Sequence, residues 1–501
     1  MKAFLMHPDR DFDVERRPPP NAHELIQDLE LETLLSTMAA GDRFMFEVSR
    51  QALLLSLTAP EEISYRQQVV IDCLEQPAVV RDLYALAGEA LAAQKAVWWA
   101  LRNDSPRRTL ATSVQKMELF IGYLRRLHAM SDEHGAKFKS PGFTRLFAVL
   151  REELDDAYLE LVEQQLKALK FQGGMQISAR LTAGNKGREY TLRRSREQGF
   201  LGRMFDRSGY SFTIPDRDVS GFNALGALED KGTNLVANAL AQSVDHVEGF
   251  FVMLRTELAF YVACLNLSER LVALGGPTTL PIPVARGELV LSARGLYDVC
   301  LALTTGEHVV GNDVDADGKS LVMITGANQG GKSTFLRSVG LAQLMTQCGM
   351  FVGADSLRVN VSDGMYTHYK REEDGTMESG KLDEELGRMS SIADHVTAGC
   401  MLLCNESFAS TNEREGSQIA RQVVSALLDE GVKVVFVTHM FDLADGFHRQ
   451  QLDTALFLRA ERRPDGERSF KISPGPPLPT SYGEDSYRKI FGTSVEAAQA
   501  N

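Results

Sequence analysis

From residue 23 to about 170 the apolar positions recur every three to four residues, the spacing that lines one face of an α-helix. Leu25, Leu29, Leu31, Leu34 and Leu35 do so in HELIQDLELETLLSTM. Val114, Met117, Phe120, Ile121 and Leu124 do so in TSVQKMELFIGYLRRLHAM. Few glycines or prolines interrupt this stretch, so long helices without intervening strands are predicted. At Gly173-Gly174 the period drops to two. MQISARLTAGNKGREYTLRR alternates apolar and polar residues about a Gly-Asn-Lys-Gly turn and predicts a β-hairpin. YSFTIP (210–215) predicts one more short strand. Helical spacing returns from about 217 to 275 and stops at Gly275-Gly276, as a helix C-terminus favours.

The texture changes again after the proline-rich PTTLPIPVARG (277–287). Short apolar runs, SLVMITG (320–326), CMLLCNE (400–406) and KVVFVTH (433–439), alternate with helical segments from about 332 and near 416–430. That alternation predicts an α/β domain with a largely parallel sheet. Residues 1–22 are charged, end in Pro18-Pro19-Pro20 and read as an extended arm. The expected organisation is therefore an arm (1–22), a helical domain (23–276) with a hairpin region near 173–215, and an α/β domain (285–495).

The 501 residues suffice for two to four domains, and 44% hydrophobic with 24% charged residues is a globular balance that excludes wholesale disorder. The net charge of −13 excludes holding nucleic acid through bulk charge and leaves only local basic patches for that task. Six cysteines without C-x-x-C spacing argue against a disulfide framework or a structural zinc, and favour a reducing compartment. The N-terminus has no apolar leader core and no run of 18 uncharged apolar residues occurs, so a cytoplasmic chain with no membrane partner is expected.

The strongest chemical signal is Gly326-Ala327-Asn328-Gln329-Gly330-Gly331-Lys332-Ser333-Thr334, which fits G-x-x-x-x-G-K-[ST] between an apolar strand and a helix. Glycines there let backbone N–H groups surround phosphates, and the helix N-terminus adds partial positive charge. Lys332 is placed to reach the β- and γ-phosphates of a nucleotide, with ATP and GTP not distinguished by the motif, and the Ser333 hydroxyl to ligate Mg²⁺. Some 70 residues on, an apolar strand ends in Asn405-Glu406, where such enzymes carry an acid on the Mg²⁺ side and a catalytic carboxylate. Glu406 suits a general base on the attacking water. Asn405 can offer the metal an oxygen without charge, which predicts weaker metal binding or slower turnover. The strand 434–438 delivers His439 to the same sheet edge, the place for a γ-phosphate sensor. Ser379, at the entry to SGKLDEEL, is a helix cap or an anion-binding group by spacing alone.

These segments, in this order, resemble the MutS family of mismatch-repair ATPases. TGANQGGKST is similar to the family's T-G-P-N-M-G-G-K-S-T, ESGKLDEEL to its composite-site serine motif, and LLCNESFASTN to L-x-x-D-E-x-x-x-G-T-S. VVFVTHMFDLA is similar to T-H-Y-x-E-L, VVGND (309–313) stands at the nucleotide-side segment, and TSYGED (480–485) at the closing S-Y-G. The match covers about 290–490; upstream, DLELETLL, ISYRQQVV and the 233–273 helix more loosely resemble core and lever helices. The resemblance implies an ABC-type P-loop ATPase domain preceded by an all-α lever and core domain with a small hairpin insertion. It also implies a homodimer in which each nucleotide lies between one chain's loop and the partner's Ser379, with lever helices feeling closure. Lys332, Glu406, His439 and Ser379 then form the catalytic set. Four departures stand out. No counterpart of the mismatch-reading front end with its Phe-x-Glu wedge is expected, because lever-like helices begin near residue 23. Asn405 replaces Asp, and SFASTN replaces the Gly-Thr-Ser run. Aliphatic residues near Val309 and Ile472 are expected where the family flanks adenine with an aromatic residue and a histidine.

For a gripped ligand, the hairpin neighbourhood gathers Arg180, Lys186, Arg188, Arg193, Arg194, Arg196, Arg203 and Arg207 against Glu189, Glu197 and Asp206. Such a patch can neutralise phosphates without reading bases, so duplex or branched DNA is expected, with Arg193, Arg194 and Arg196 as contacts. Two other readings remain: an ATP-switched dimer acting on a protein or ribonucleoprotein, and a weakly hydrolysing, ATP-locked structural dimer. Trp98-Trp99, Met6 and Met38 read as core or interface packing.

Overall fold

The computed structural model describes residues 1–98, 105–171, 174–184, 186–193, 213–371, 380–463 and 467–479. Contacts divide the chain into two compact units, each discontinuous in sequence: Met1–Leu5 with Ala78–Leu258, and Met6–Pro77 with Ala259–Asn501.

Helices dominate the N-terminal half: α1 (Ala22–Asp28), α2 (Leu31–Ala39), α3 (Arg43–Leu54), α4 (Pro60–Glu75), α5 (Pro77–Trp98), α6 (Pro106–His134), α7 (Pro141–Glu153) and α8 (Asp156–Ala168). Their starts follow local chemistry. Ser105, Ser140 and Asp155 each accept a hydrogen bond from a backbone N–H of the first turn of α6, α7 and α8, and proline opens α6 and α7. In the first unit α6 packs on α7 and α8. Phe120 stacks on Phe251 at 5.5 Å, and Phe138, Phe143 and Phe147 form a second aromatic cluster. Strands β1 (Gln176–Leu181) and β2 (Gly187–Arg193) pair antiparallel about the expected turn, with Arg180 opposite Arg188. The strand expected at 210–215 is not formed over 213–215, which have no regular structure; 210–212 lie outside the described residues. Helix α9 (Val219–Ala273) is the one described helix long and apolar enough to cross a membrane, but 78% of its apolar window is buried in protein.

The second unit holds two sheets. β6 (Leu321–Gly326), β8 (Met365–Tyr369), β9 (Met401–Asn405), β10 (Lys433–Val437), β11 (Ala455–Arg462) and β12 (Arg468–Pro474) form one of order β12-β11-β6-β10-β9-β8. It is parallel except for the β11–β12 pair, so its central strands are buried on both faces and rich in Val, Leu and Phe. The other sheet joins β3 (Ile282–Val284), β7 (Ser356–Asn360), β4 (Leu291–Leu296) and β5 (Asn312–Asp315). Helices α10 (Val299–Thr305), α11 (Lys332–Gln347), α12 (Lys381–Ala393), α13 (Glu413–Asp429) and α14 (Phe441–His448) complete it.

The first four helices belong to this second unit. α1 packs on β8, α2 on α10, α3 on α11 and α4 on β3. The segment read as an arm is packed as well: Ala3, Leu5, Met6 and Phe12 are buried, and the Arg66 guanidinium donates to the Met6 carbonyl at 2.7 Å. Met38 is fully buried, as core filler should be, and all six cysteines are buried and free.

Candidate functional site

The glycine-rich loop leaves the C-terminal end of β6, in the middle of the sheet, and enters α11. Its backbone demands glycine at two points. Gly326 has φ +105°, and a Cβ there would lie 2.9 Å from the Ala460 nitrogen on β11. At Gly330 a Cβ would lie 2.8 Å from the Ala327 carbonyl and equally near the Ala460 side chain. Lys332, the first residue of α11, is buried at 6% exposure, and its ammonium donates to the carbonyls of Gly326 and Ala327 at 2.9 and 3.1 Å. Burial lowers its pKa, an effect that the nearby Glu406 carboxylate opposes.

Two strand ends face this loop because β10 lies next to β6 in the sheet order and β9 next to β10. The Ser333 hydroxyl donates to Asn405 Oδ1 at 2.9 Å. Glu406 follows at φ +54°, its N–H donating to the Val437 carbonyl at 2.9 Å. Thr438 is fully buried and its hydroxyl accepts from the Met440 N–H at 3.0 Å, a turn that leaves His439 between them at the sheet edge. His439 Nδ1 then stands 3.6 Å from Glu406 Oε1. The neighbouring His439 is the chief reason the Glu406 pKa falls below the ordinary carboxylate value, with Lys332 and Lys370 adding to it against the opposing effect of burial.

These groups share one cavity of about 760 Å³, which Asn328 to Thr334, Glu406 and His439 line on the loop side. Its far wall corrects the expectation of aliphatic flanks near Val309 and Ile472. Val309 and Val310 do line it, but so do His308 and Phe470, while Ile472 is not among the lining residues. Phe470 projects from β12 with φ +57° and 49% exposure, and Asn312 fastens that strand. The Asn312 amide donates to the Phe470 carbonyl at 3.2 Å, and its oxygen accepts from the Ile472 N–H at 2.7 Å. Sequence reasoning missed Phe470; the available signal was an aromatic residue between the polar Ser469 and Lys471.

Ser379 lies outside the described residues; the N-cap of α12 is Gly380, without a side-chain cap bond. Arg194 and Arg196 also lie outside them. Arg193 is described and donates to Ser178 Oγ at 2.8 Å across the hairpin, and Arg180 pairs with Glu189 at 3.2 Å. Among the described residues no group of three or more His, Cys, Asp or Glu is placed to hold a metal ion.

Comparison with known proteins agrees with this architecture. The family model for the MutS2 N-terminal domain matches residues 58–274, and that for MutS domain V matches 322–483. A DNA mismatch repair protein MutS from Desulforamulus reducens is 34% identical over 178 residues, covering 32% of this chain and 20% of that protein. An Endonuclease MutS2 from Thermus thermophilus is 26% identical over 432 residues, covering 78% of this chain and 54% of that protein. A MutS from Brevibacillus brevis is 26% identical over 398 residues, covering 73% and 44%. The chain thus spans about half, or less, of the length of these relatives. It belongs to the MutS family.

Proposed function

We propose that this chain is a MutS-like ATPase, working as a homodimer and coupling ATP binding and hydrolysis to a grip on DNA. The observation that carries the ATPase reading is the convergence of Lys332, Ser333 and the Glu406–His439 pair on one cavity, with Asn405 hydrogen-bonded to Ser333 behind its wall. The residues present fit ATP with Mg²⁺. Gly330, where a Cβ would collide with the Ala327 carbonyl and the Ala460 side chain, lets the loop close tightly beside the cavity, and a buried lysine at the start of α11 lines the same cavity. The Ser333 and Asn405 oxygens suit Mg²⁺, which is commonly held through few protein oxygens together with phosphates and water. Bound Mg²⁺ would neutralise charge on the phosphates.

The chain's own residues supply the rest. Lys332 holds the terminal phosphate. Glu406, kept ionised by its histidine neighbour, takes a proton from the attacking water. His439 orients that carboxylate and steadies the transferring group. Val309, Val310, His308 and Phe470 receive the base. The partner's Ser379 completes the charge clamp, which makes turnover depend on dimer closure. The basic hairpin, with Arg180, Lys186, Arg188 and Arg193, is the surface we assign to DNA phosphates.

The test is ATP retention and hydrolysis by wild type, Lys332→Ala and Glu406→Ala, with mass measured in ATP and Mg²⁺. Duplex, forked and four-way DNA are added at two salt levels. Undiminished retention by Lys332→Ala, or a chain that stays single-copy with ATP bound, overturns the reading. A protein or ribonucleoprotein partner is the second reading, favoured by the net charge of −13 and by the pairing of Arg180 with Glu189. DNA binding whose salt slope is unchanged when Arg188 and Arg193 become Ala would favour it.

A further inference from the structure

The turn that carries Glu406 is held from behind by a buried group with no part in the chemistry described so far. Glu406 and Phe408 have φ of +54° and +63°, a left-handed conformation that strains residues with side chains. Two such residues in three persist where neighbours over-determine the turn. Phe408, fully buried, stacks on the His368 ring with centroids 5.4 Å apart. Ser407, also fully buried, donates from its hydroxyl to the His368 carbonyl at 2.6 Å, and the same oxygen lies 2.7 Å from His368 Nδ1. The other ring nitrogen, Nε2, donates to the Glu385 carbonyl at 3.0 Å, within α12.

His368 has 0% exposure, and burial, reinforced by the charges of Arg388 and Arg371, lowers its pKa to about 4. The ring is therefore neutral. With its proton on Nε2, Nδ1 is an acceptor, and the single Ser407 proton has two acceptors to serve, Nδ1 and the carbonyl of residue 368. Packing alone would be met here by a phenyl ring. Instead both nitrogens face polar groups on two different elements, one beside Glu406 and one in the helix that begins next to Ser379.

We propose that His368 is a positioning residue that, through Ser407, sets the Glu406 turn against α12 and so links the carboxylate of one nucleotide site to the helix leading to the other. The inference rests on the ATPase reading above, in which the partner's Ser379 faces each nucleotide. A shift of α12 on dimer closure is then felt at Glu406 without any contact to nucleotide by His368. The two acceptors of the Ser407 proton give the link two discrete arrangements, as a coupling element requires.

The test measures kcat and KM for Mg·ATP with the full-length chain as wild type, Ser407→Ala, His368→Gln and the double variant, alongside thermal midpoints. Gln at 368 keeps an amide to reach the Glu385 carbonyl but leaves nothing in the place of Nδ1. Each single variant should lower kcat about tenfold, the worth of one hydrogen bond that sets the turn carrying the reacting carboxylate, with KM changed less than about twofold. The double variant should be no slower than the singles, because both cut the same link. Wild-type kcat in either single variant, or losses that multiply in the double, overturns the proposal; His368→Gln decides alone if Ser407→Ala folds poorly. A wild-type chain that does not hydrolyse ATP, or a Lys332→Ala chain that hydrolyses it normally, overturns the ATPase reading itself and the link with it.

Discussion

Arg337, in the second turn of α11, reaches two acids outside its own helix. Its Nε donates to Asp298 Oδ2 at 2.5 Å, and its Nη1 pairs with Glu30. Asp298 is 1% exposed, and its other oxygen caps α10 by accepting from the Leu301 N–H at 3.0 Å. Burial raises the Asp298 pKa, and Arg337 opposes that rise. Arg337→Met keeps the aliphatic bulk and leaves a buried carboxylate unpaired. Removing one side of a buried pair costs about 3–5 kcal/mol, and the exposed Glu30 adds less than about 1 kcal/mol, so a loss of about 3 kcal/mol is expected. Asp298→Asn retains a capping oxygen without the charge. The double variant should therefore recover about 2 kcal/mol of the Arg337→Met loss, within the range of coupling for groups in contact. Urea unfolding of the four proteins, from neutral pH down to the ordinary carboxylate range of about pH 4, measures both effects. The sign follows from the raised pKa. Above the folded-state pKa the carboxylate is ionised in folded and unfolded chains alike, and the full penalty is present. Below the ordinary carboxylate range it is protonated in both, and the charge penalty is gone. The Arg337→Met deficit should thus shrink as pH falls. Additive losses in the double variant, or a deficit independent of pH, would refute the reasoning.

Lys332→Ala should weaken ATP retention about 100-fold in filter binding, since it removes a charge-assisted contact worth about 1.5–3 kcal/mol from a buried position. Phe470→Ala should weaken nucleotide binding about tenfold while leaving kcat at saturating ATP nearly unchanged, because one aromatic face against a base is worth about 1–3 kcal/mol. Asn405→Asp should lower the Mg²⁺ concentration for half-maximal hydrolysis about fivefold, the effect of about 1 kcal/mol of added attraction at a solvent-open site.

The loop at 326–334 was legible because glycine, lysine and serine act there through local geometry: φ +105° at Gly326 and a helix starting at Lys332. The hairpin was legible for the same reason, its turn and its period of two lying within twenty residues. The assignment of α1 to α4 to the α/β unit was not, since helical spacing records which face is apolar and not which distant partner covers it. At the site, strand order decides what meets the loop, and the neighbours of β6 come from residues over a hundred positions downstream. Phe470 reached the cavity wall by that route. His368 left no trace in sequence: its meaning depends on Ser407 and Glu385, 39 and 17 residues away.

The six buried thiols carry a practical consequence. Cys73, Cys264, Cys348 and Cys404 have pKa values raised by burial, the last two to about 12, so little thiolate is present to meet a maleimide near neutrality. A cysteine introduced on the surface, for instance at Arg188, would be labelled selectively in the native protein. Any slow additional labelling would then report the opening of the interior, giving a clock for unfolding without a fluorophore in either core.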